Sequence, residues 1–459
     1  MSNLFRAIPS ISELLKNEDI KSYPINEVNK HFLIEESLYE LRYNIGTKNI
    51  STISNQEIVL AILEKFKNSI LLSLRKVINA TGVILHTNLG RSILPTSSIK
   101  NFIEVSSGYS NIEYNLKTMK RGDRETHLNK ILSELTDCED SCVVNNNAGA
   151  VFLVLNTFSK NKKVLVSRGE NVEIGGSFRI PDIIKASGAK IVDVGTTNKT
   201  YLKDYQTGLL ENKTANMILK IHKSNYDIVG FNNFVSAQEL ASIKNENIIL
   251  VEDQGSGSLI DLTKYNNKLT KENTVRQSLI DGVDLVLFSG DKLLGSAQAG
   301  IIVGKKELIN KIKKNQLFRM LRSSKVVISL LEVTLEMYKK EKIAIKTIPT
   351  LRMICENINM VKNRVKYFIE LVKNDNFNLT IVETKATIGG GSLPKDIINS
   401  YGVNVEYKNK KINYVYEKLV NLPIPVIGTL HDKKLILDFK TIQVNEIEII
   451  ARFLNDAKW

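Results

Sequence analysis

The chain has 459 residues, of which 43% are hydrophobic and 24% charged, and a formal net charge of +14. These values exclude a fibrous or intrinsically disordered chain, and the length implies roughly two to four domains of about 100–200 residues each. Cys138, Cys142 and Cys355 show no zinc-type spacing with one another or with histidine, which argues against a structural metal and fits a reducing cytosol. The first ten residues lack the cationic and apolar pattern of a signal peptide, and no apolar run reaches the ~18 residues that span a bilayer. A cytoplasmic protein with no membrane association is therefore expected. The basic excess favours a polyanionic partner, although a lysine-rich composition alone produces the same charge.

Residues 1–74 read as a small helical domain. Ser10–Leu15 offers an N-cap before apolar spacing, and Ile34–Tyr43 and Gln56–Leu74 carry apolar residues at three- and four-residue intervals. Acidic and basic residues nearly cancel there. Asn79–Arg91 has no helical period and is rich in Gly, Asn and Thr. Short apolar runs then alternate with helical stretches: Ser141–Val144, Lys163–Ser167, Lys190–Val194, Met217–His222, Asn247–Asp253, Asp284–Ser289 and Gly300–Val303. These runs lack in/out alternation, so they predict strands buried on both faces of a mainly parallel sheet covered by helices, an α/β fold spanning 75–335. A helix is expected from about Leu331 to Lys346 and another over Asn357–Lys373. Strands at Leu379–Thr384, Ile424–Leu430 and Leu435–Phe439 and a closing helix Val444–Ala457 complete a smaller α+β domain, 336–459.

Three segments carry chemistry. Leu287-Phe-Ser-Gly-Asp-Lys292-Leu-Leu-Gly295 delivers Ser289, Asp291 and Lys292 to the C-terminal end of a strand, where open α/β sheets bind ligands. An amine partly desolvated there has a lowered pKa and serves as a Schiff-base nucleophile; taken alone, such a lysine is more often a solvated loop residue. Ser289 is placed to donate to a phosphate. Ile249-Leu-Val-Glu-Asp253 ends another strand in an acid, suited to pairing with a pyridinium nitrogen, or to a simple turn. Val143-Val-Asn145-Asn146-Asn147-Ala148 runs from strand into helix, and Asn146, Asn147 and Ala148 can present unpaired amides to a phosphate. Acid, then lysine about forty residues later after the next strand, is the order of fold-type I pyridoxal-phosphate (PLP) enzymes. Elsewhere, Arg319 and Arg322 lie three apart on one helical face, suited to an oxyanion or to an ion pair. Arg91 sits in a glycine-held loop. His222, after a strand, suits the cofactor or the core. Ser167-Arg-Gly-Glu170 and Glu173-Ile-Gly175-Gly-Ser177 are expected in the site wall.

Together and in order, several stretches resemble the bacterial selenocysteine synthase family. They include Lys76-Val-Ile-Asn-Ala-Thr-Gly82, His86-Thr-Asn-Leu-Gly-Arg91, Asn145-Asn-Asn147, Val194-Gly-Thr-Thr-Asn198, His222-Lys-Ser-Asn225, Gly255-Ser-Gly257, Phe288-Ser-Gly-Asp-Lys-Leu-Leu294 and Gly389-Gly-Gly-Ser-Leu-Pro394. The resemblance implies a fold-type I PLP-dependent transferase that turns L-seryl-tRNA(Sec) into L-selenocysteinyl-tRNA(Sec), with selenophosphate as donor and a dehydroalanyl-tRNA intermediate. It implies that Lys292 carries PLP and shuttles protons with help from Asp291, and that Arg91, Arg319 and Arg322 hold the donor phosphate. The helical N-terminal domain would grip the tRNA, and the chain would form a ring of dimers, a decamer. The chain departs from the family at Gly295-Ser-Ala-Gln298, where Gly-Gly-Pro-Gln is usual, and at Ile427-Gly-Thr429 and Asp438-Phe-Lys-Thr441, where arginines are usual. The competing readings are a related PLP lyase acting on a phosphorylated amino sugar or small amino acid, and a non-catalytic tRNA-binding protein.

Overall fold

A computed structural model describes residues 2–47, 53–70, 72–174, 178–222, 226, 228 and 230–459. The chain forms two compact units, Met1–Lys76 and Val77–Trp459. Of the segments expected in the site wall, Gly175, Gly176 and Ser177 lie outside the described residues, as do Lys223, Ser224 and Asn225.

The first unit is helical, as its periodicity predicts. Its two long helices are α1 (Glu27–Gly46) and α2 (Asn55–Ser69). Ile34 and Leu38 on α1 and Ile58, Ile62 and Phe66 on α2 recur at four-residue spacing, so they share a face and close a small core with Leu14 and Ile20. Ser10 caps the short helix Ile11–Leu14, accepting from the Glu13 amide at 3.3 Å while Glu13 accepts from the Ser10 amide at 2.9 Å.

In the second unit all seven apolar runs form one sheet. Its strands are β1 (Asp140–Val144), β2 (Lys163–Ser167), β3 (Lys190–Val194), β4 (Ala215–Ile221), β5 (Ile249–Gly255), β6 (Leu285–Ser289) and β7 (Gly300–Gly304). They lie in the order β1-β7-β6-β5-β4-β2-β3, parallel except for β7, which runs antiparallel to both neighbours. Side chains alternate between two apolar cores. Val143, Val286 and Phe288 enter one, and Cys142, Val144, Leu285 and Leu287 the other. Covering both faces explains why these strands read as unbroken apolar runs.

The C-terminal part carries a four-stranded antiparallel sheet of β8 (Phe377–Thr387), β9 (Ile397–Tyr407), β10 (Thr429–His431) and β11 (Lys434–Asp438), ordered β8-β9-β11-β10. The long strand β9 was not among the expected elements. One other expectation is corrected. The single helix expected over Leu331–Lys346 is two, Lys325–Tyr338 and Glu341–Thr347. The change of direction between them turns Ala344 and Ile348 into the core, where both are fully buried. The first of these helices also runs across the boundary expected at residue 335.

Glu125 is a buried acid away from the strand ends. Its Oε2 accepts from the Val143 amide at 2.9 Å, and burial pushes its carboxyl up to about 7. A folded-state value above the unfolded one means the native state holds the extra proton. Stability is therefore highest below the unfolded value near 4.5 and falls as pH rises towards 7, by up to about 3 kcal/mol. Glu125→Gln should flatten that part of the melting-temperature profile between pH 4.5 and 7, as checked by thermal unfolding of both proteins across the range; an unchanged slope would contradict the assignment.

Candidate functional site

The site forms where β5 and β6 end side by side. Asp253 lies opposite Leu287 in the parallel register, and β6 continues to Ser289 before turning through Gly290 and Asp291 to Lys292. The crossing is tight because Gly257, with φ +64, has no side chain: a Cβ there would lie 2.4 Å from Phe288. Both ionisable groups are buried, Asp253 at 3% exposure and Lys292 at 6%. Burial pushes the Lys292 amine down from the usual lysine value; Asp253 and Asp291 oppose this and Arg91 adds to it. Among the described residues, the amine has no hydrogen bond or ion pair.

Burial likewise pushes the Asp253 carboxyl up, and three neighbours hold it towards the ionised form: the Asn147 amide, the Gly255 N–H and the charge of Lys292. Asn147 Nδ2 donates to Asp253 Oδ1 at 2.7 Å and Gly255 N to the same oxygen at 2.9 Å. Among the described residues nothing bonds Oδ2, which leaves that oxygen for a ligand. Asn147 is expected to offer its backbone amide to a phosphate; its side chain holds the acid 106 positions away.

Asn147 also opens helix α3 (Asn147–Ser159). Asn146 is its N-cap and accepts from the Gly149 amide at 2.8 Å. The Asn147 and Ala148 amides belong to the first turn, where a helix has no internal acceptors. The backbone there lies against β7, and a Cβ on Gly300 would be 2.2 Å from the Asn146 carbonyl oxygen. Ser289 pairs with Gly300 across β6 and β7. Amine, carboxylate oxygen and helix start thus converge at one end of the sheet. This is the donor set that a phosphorylated pyridine aldehyde requires.

The remaining candidates divide. Arg91, held at φ 62, donates to Asp291 Oδ2 at 2.7 Å, so the loop arginine and the residue before Lys292 are paired with each other. Arg319 and Arg322 line a separate cavity of about 360 Å3 that Arg91 does not line. Arg322 donates to Glu113 Oε1 at 2.9 Å, and Arg124 grips the same carboxylate at 2.6 Å. His222 gives its amide to the Asp253 carbonyl at 2.9 Å, yet its ring faces Glu272, with Nε2 3.6 Å from Oε1, in another cavity of about 280 Å3. Burial pushes Glu272 up to about 7. Glu113, Arg124 and Glu272 surround these candidates, and no local motif would have found them.

Comparison with known proteins agrees with this geometry. The model of the L-seryl-tRNA selenium transferase family matches residues 77–443. An L-seryl-tRNA(Sec) selenium transferase of Alkaliphilus oremlandii is 42% identical, covering 99% of this chain and 98% of its own. One from Aliarcobacter butzleri is 43% identical with the same coverage, 99% and 98%. Among solved structures, a D-glucosaminate-6-phosphate ammonia-lyase superposes with a TM-score of 0.55 at 16% identity, covering 83% of this chain and 95% of its own. That likeness shows the fold, which is of the fold-type I PLP-dependent class.

The Asn147–Asp253 contact makes a thermodynamic prediction. A hydrogen bond to a buried carboxylate contributes about 1.5–3 kcal/mol, so Asn147→Ala should lower unfolding free energy by that amount and Asn147→Asp by more. Urea unfolding of the cofactor-free protein measures both. A loss under about 0.5 kcal/mol for Asn147→Asp would show that the two side chains do not meet.

Proposed function

This chain belongs to the L-seryl-tRNA selenium transferase family, and on that premise we propose how its own residues perform the conversion of L-seryl-tRNA(Sec) to L-selenocysteinyl-tRNA(Sec). The observation that carries the reading is the buried, unpartnered amine of Lys292 opposite the open oxygen of Asp253, in a chain 42% identical to such an enzyme along nearly its whole length. A related lyase acting on a phosphorylated amino sugar shares only the fold, at 16% identity.

The proposed cofactor is pyridoxal phosphate, which when bound supplies an aldehyde for amines and an electron sink for negative charge at the substrate's α-carbon. Lys292 would hold it through Nζ, and the Asp253 carboxylate would pair with its ring nitrogen. The Asn147 and Ala148 amides and the Ser289 hydroxyl would hold its phosphate, with Asn146 fixing the helix start and His222 next to Asp253 contributing to the cofactor site. Desolvation keeps a larger share of the Lys292 amine neutral at neutral pH than in water, as a nucleophile and base must be. The free Lys292 Nζ takes the α-proton and delivers a proton to the departing seryl hydroxyl, which leaves as water. Asp291, fixed by Arg91, assists Lys292 in this proton transfer.

Selenium then adds to the β-carbon from selenophosphate while the α-carbon regains a proton, and water cleaves the Se–P bond to release inorganic phosphate. Arg91, Arg319 and Arg322 hold the donor's phosphate; each guanidinium has five N–H groups, so one carboxylate contact leaves donors to spare. The helical residues 1–74 take the tRNA, and residues 75–335 and 336–459 form the catalytic and C-terminal domains. The chain acts in the cytoplasm as a dimer-based ring, a decamer. No helix among the described residues is long and apolar enough to cross a membrane.

Purified protein given seryl-tRNA(Sec) and selenophosphate should yield selenocysteinyl-tRNA, and Lys292→Ala should lower the rate by at least about a thousandfold while still binding tRNA. Conversion of a phosphorylated amino sugar in place of seryl-tRNA would favour the lyase. Full activity in Lys292→Ala would overturn the assignment.

A further inference from the structure

The distribution of charge does not follow the expected division of labour. Residues 1–76 hold ten basic and nine acidic residues, so all but one unit of the +14 charge lies in Val77–Trp459. If the helical unit alone gripped the tRNA, the excess on the catalytic unit would have no electrostatic purpose.

Part of that excess is concentrated in the 360 Å3 cavity beside β1. Arg121, Arg124, Lys313, Lys314, Arg319 and Arg322 line it. The acids cannot neutralise them. Glu113 is shared by three arginines, at 2.6 Å from Arg124, 2.9 Å from Arg322 and 3.6 Å from Arg121. Asp140 is taken by Lys313 at 3.0 Å, and Asp123 also lines the wall. Six cations thus face three acids. Two of these cations stand well out in solvent: the Arg121 side chain is 80% exposed, on the hairpin Tyr114–Asn115 with Lys120–Arg121, and Lys314 on the same cavity is exposed.

The wall of this cavity is tied through the backbone to the strand that leads to the site. The backbone of Arg322 bridges to Val144, the last residue of β1, and the Asn145 amide donates to the Leu321 carbonyl at 2.9 Å. Asn147, which holds Asp253, follows two residues later.

We propose that Arg121 and Lys314 bind a backbone phosphate of the single-stranded 3′ end of the substrate tRNA, steering the seryl ester to Lys292. This rests on the reading of the chain as a seryl-tRNA enzyme. A phosphate oxyanion also belongs to the selenium donor, so the test separates the two sources. The double variant Arg121→Ala with Lys314→Ala is compared with the native full-length protein. Steady-state kinetics are measured against each substrate, and tRNA binding over a range of salt concentrations.

The expected result is a rise of about tenfold in KM for seryl-tRNA(Sec) and a salt slope of log K against log [salt] shallower by about 1. The KM for selenophosphate, kcat at saturating tRNA and the urea midpoint should hold, and Arg121→Lys with Lys314→Arg should restore tRNA affinity. An unchanged tRNA KM and slope would overturn the proposal, as would a rise confined to the selenophosphate KM. Should the native protein convert no seryl-tRNA, the functional reading fails, and the salt slope of tRNA binding still decides this one.

Discussion

The structure is organised around the burial of a lysine and a carboxylate at the ends of two adjacent parallel strands. Removing such ions from water costs several kcal/mol each, so the fold must hold them there. It does so through the register that sets Asp253 against Leu287 on β6, the missing side chain at Gly257, and the Asn147 and Gly255 donors that fix one carboxylate oxygen. The other oxygen and the lysine amine stay open. That is a poor arrangement for stability and a good one for holding a protonatable aromatic cofactor.

β7 has a part in this that its composition does not announce. Lying antiparallel between β1 and β6, it carries Gly300 at the point where the Asn146 carbonyl approaches most closely. The helix start that offers phosphate-binding amides is therefore packed directly against the strand that neighbours the lysine loop. Phosphate end and amine end of a bound cofactor are set by one strand pair.

How much of this could be read from the sequence follows from range. The seven strands were legible because burial on both faces leaves continuous apolar runs, but such a run carries no direction, so the reversal of β7 was not. β9 was not legible because Asn399, Ser400, Gly402 and Asn404 break up its apolar residues, leaving neither a continuous run nor a clean alternation. The helix break at Lys339–Lys340 has no proline or glycine to mark it; it serves the burial of Ala344 and Ile348. Lys292 and Asp253 were legible because each follows its own strand at a recognisable spacing. Partners such as Asn147 for Asp253, or Glu113 for Arg322, are 106 and 209 residues apart, and no local pattern links them.

The account depends on covalent capture of the cofactor by one amine. Reducing the PLP-loaded protein with borohydride, digesting it and mapping the adduct by mass measures this directly. The account predicts a pyridoxyl adduct on the peptide containing Lys292 and on no other lysine peptide. An adduct on a different lysine, or none despite bound cofactor, would contradict it.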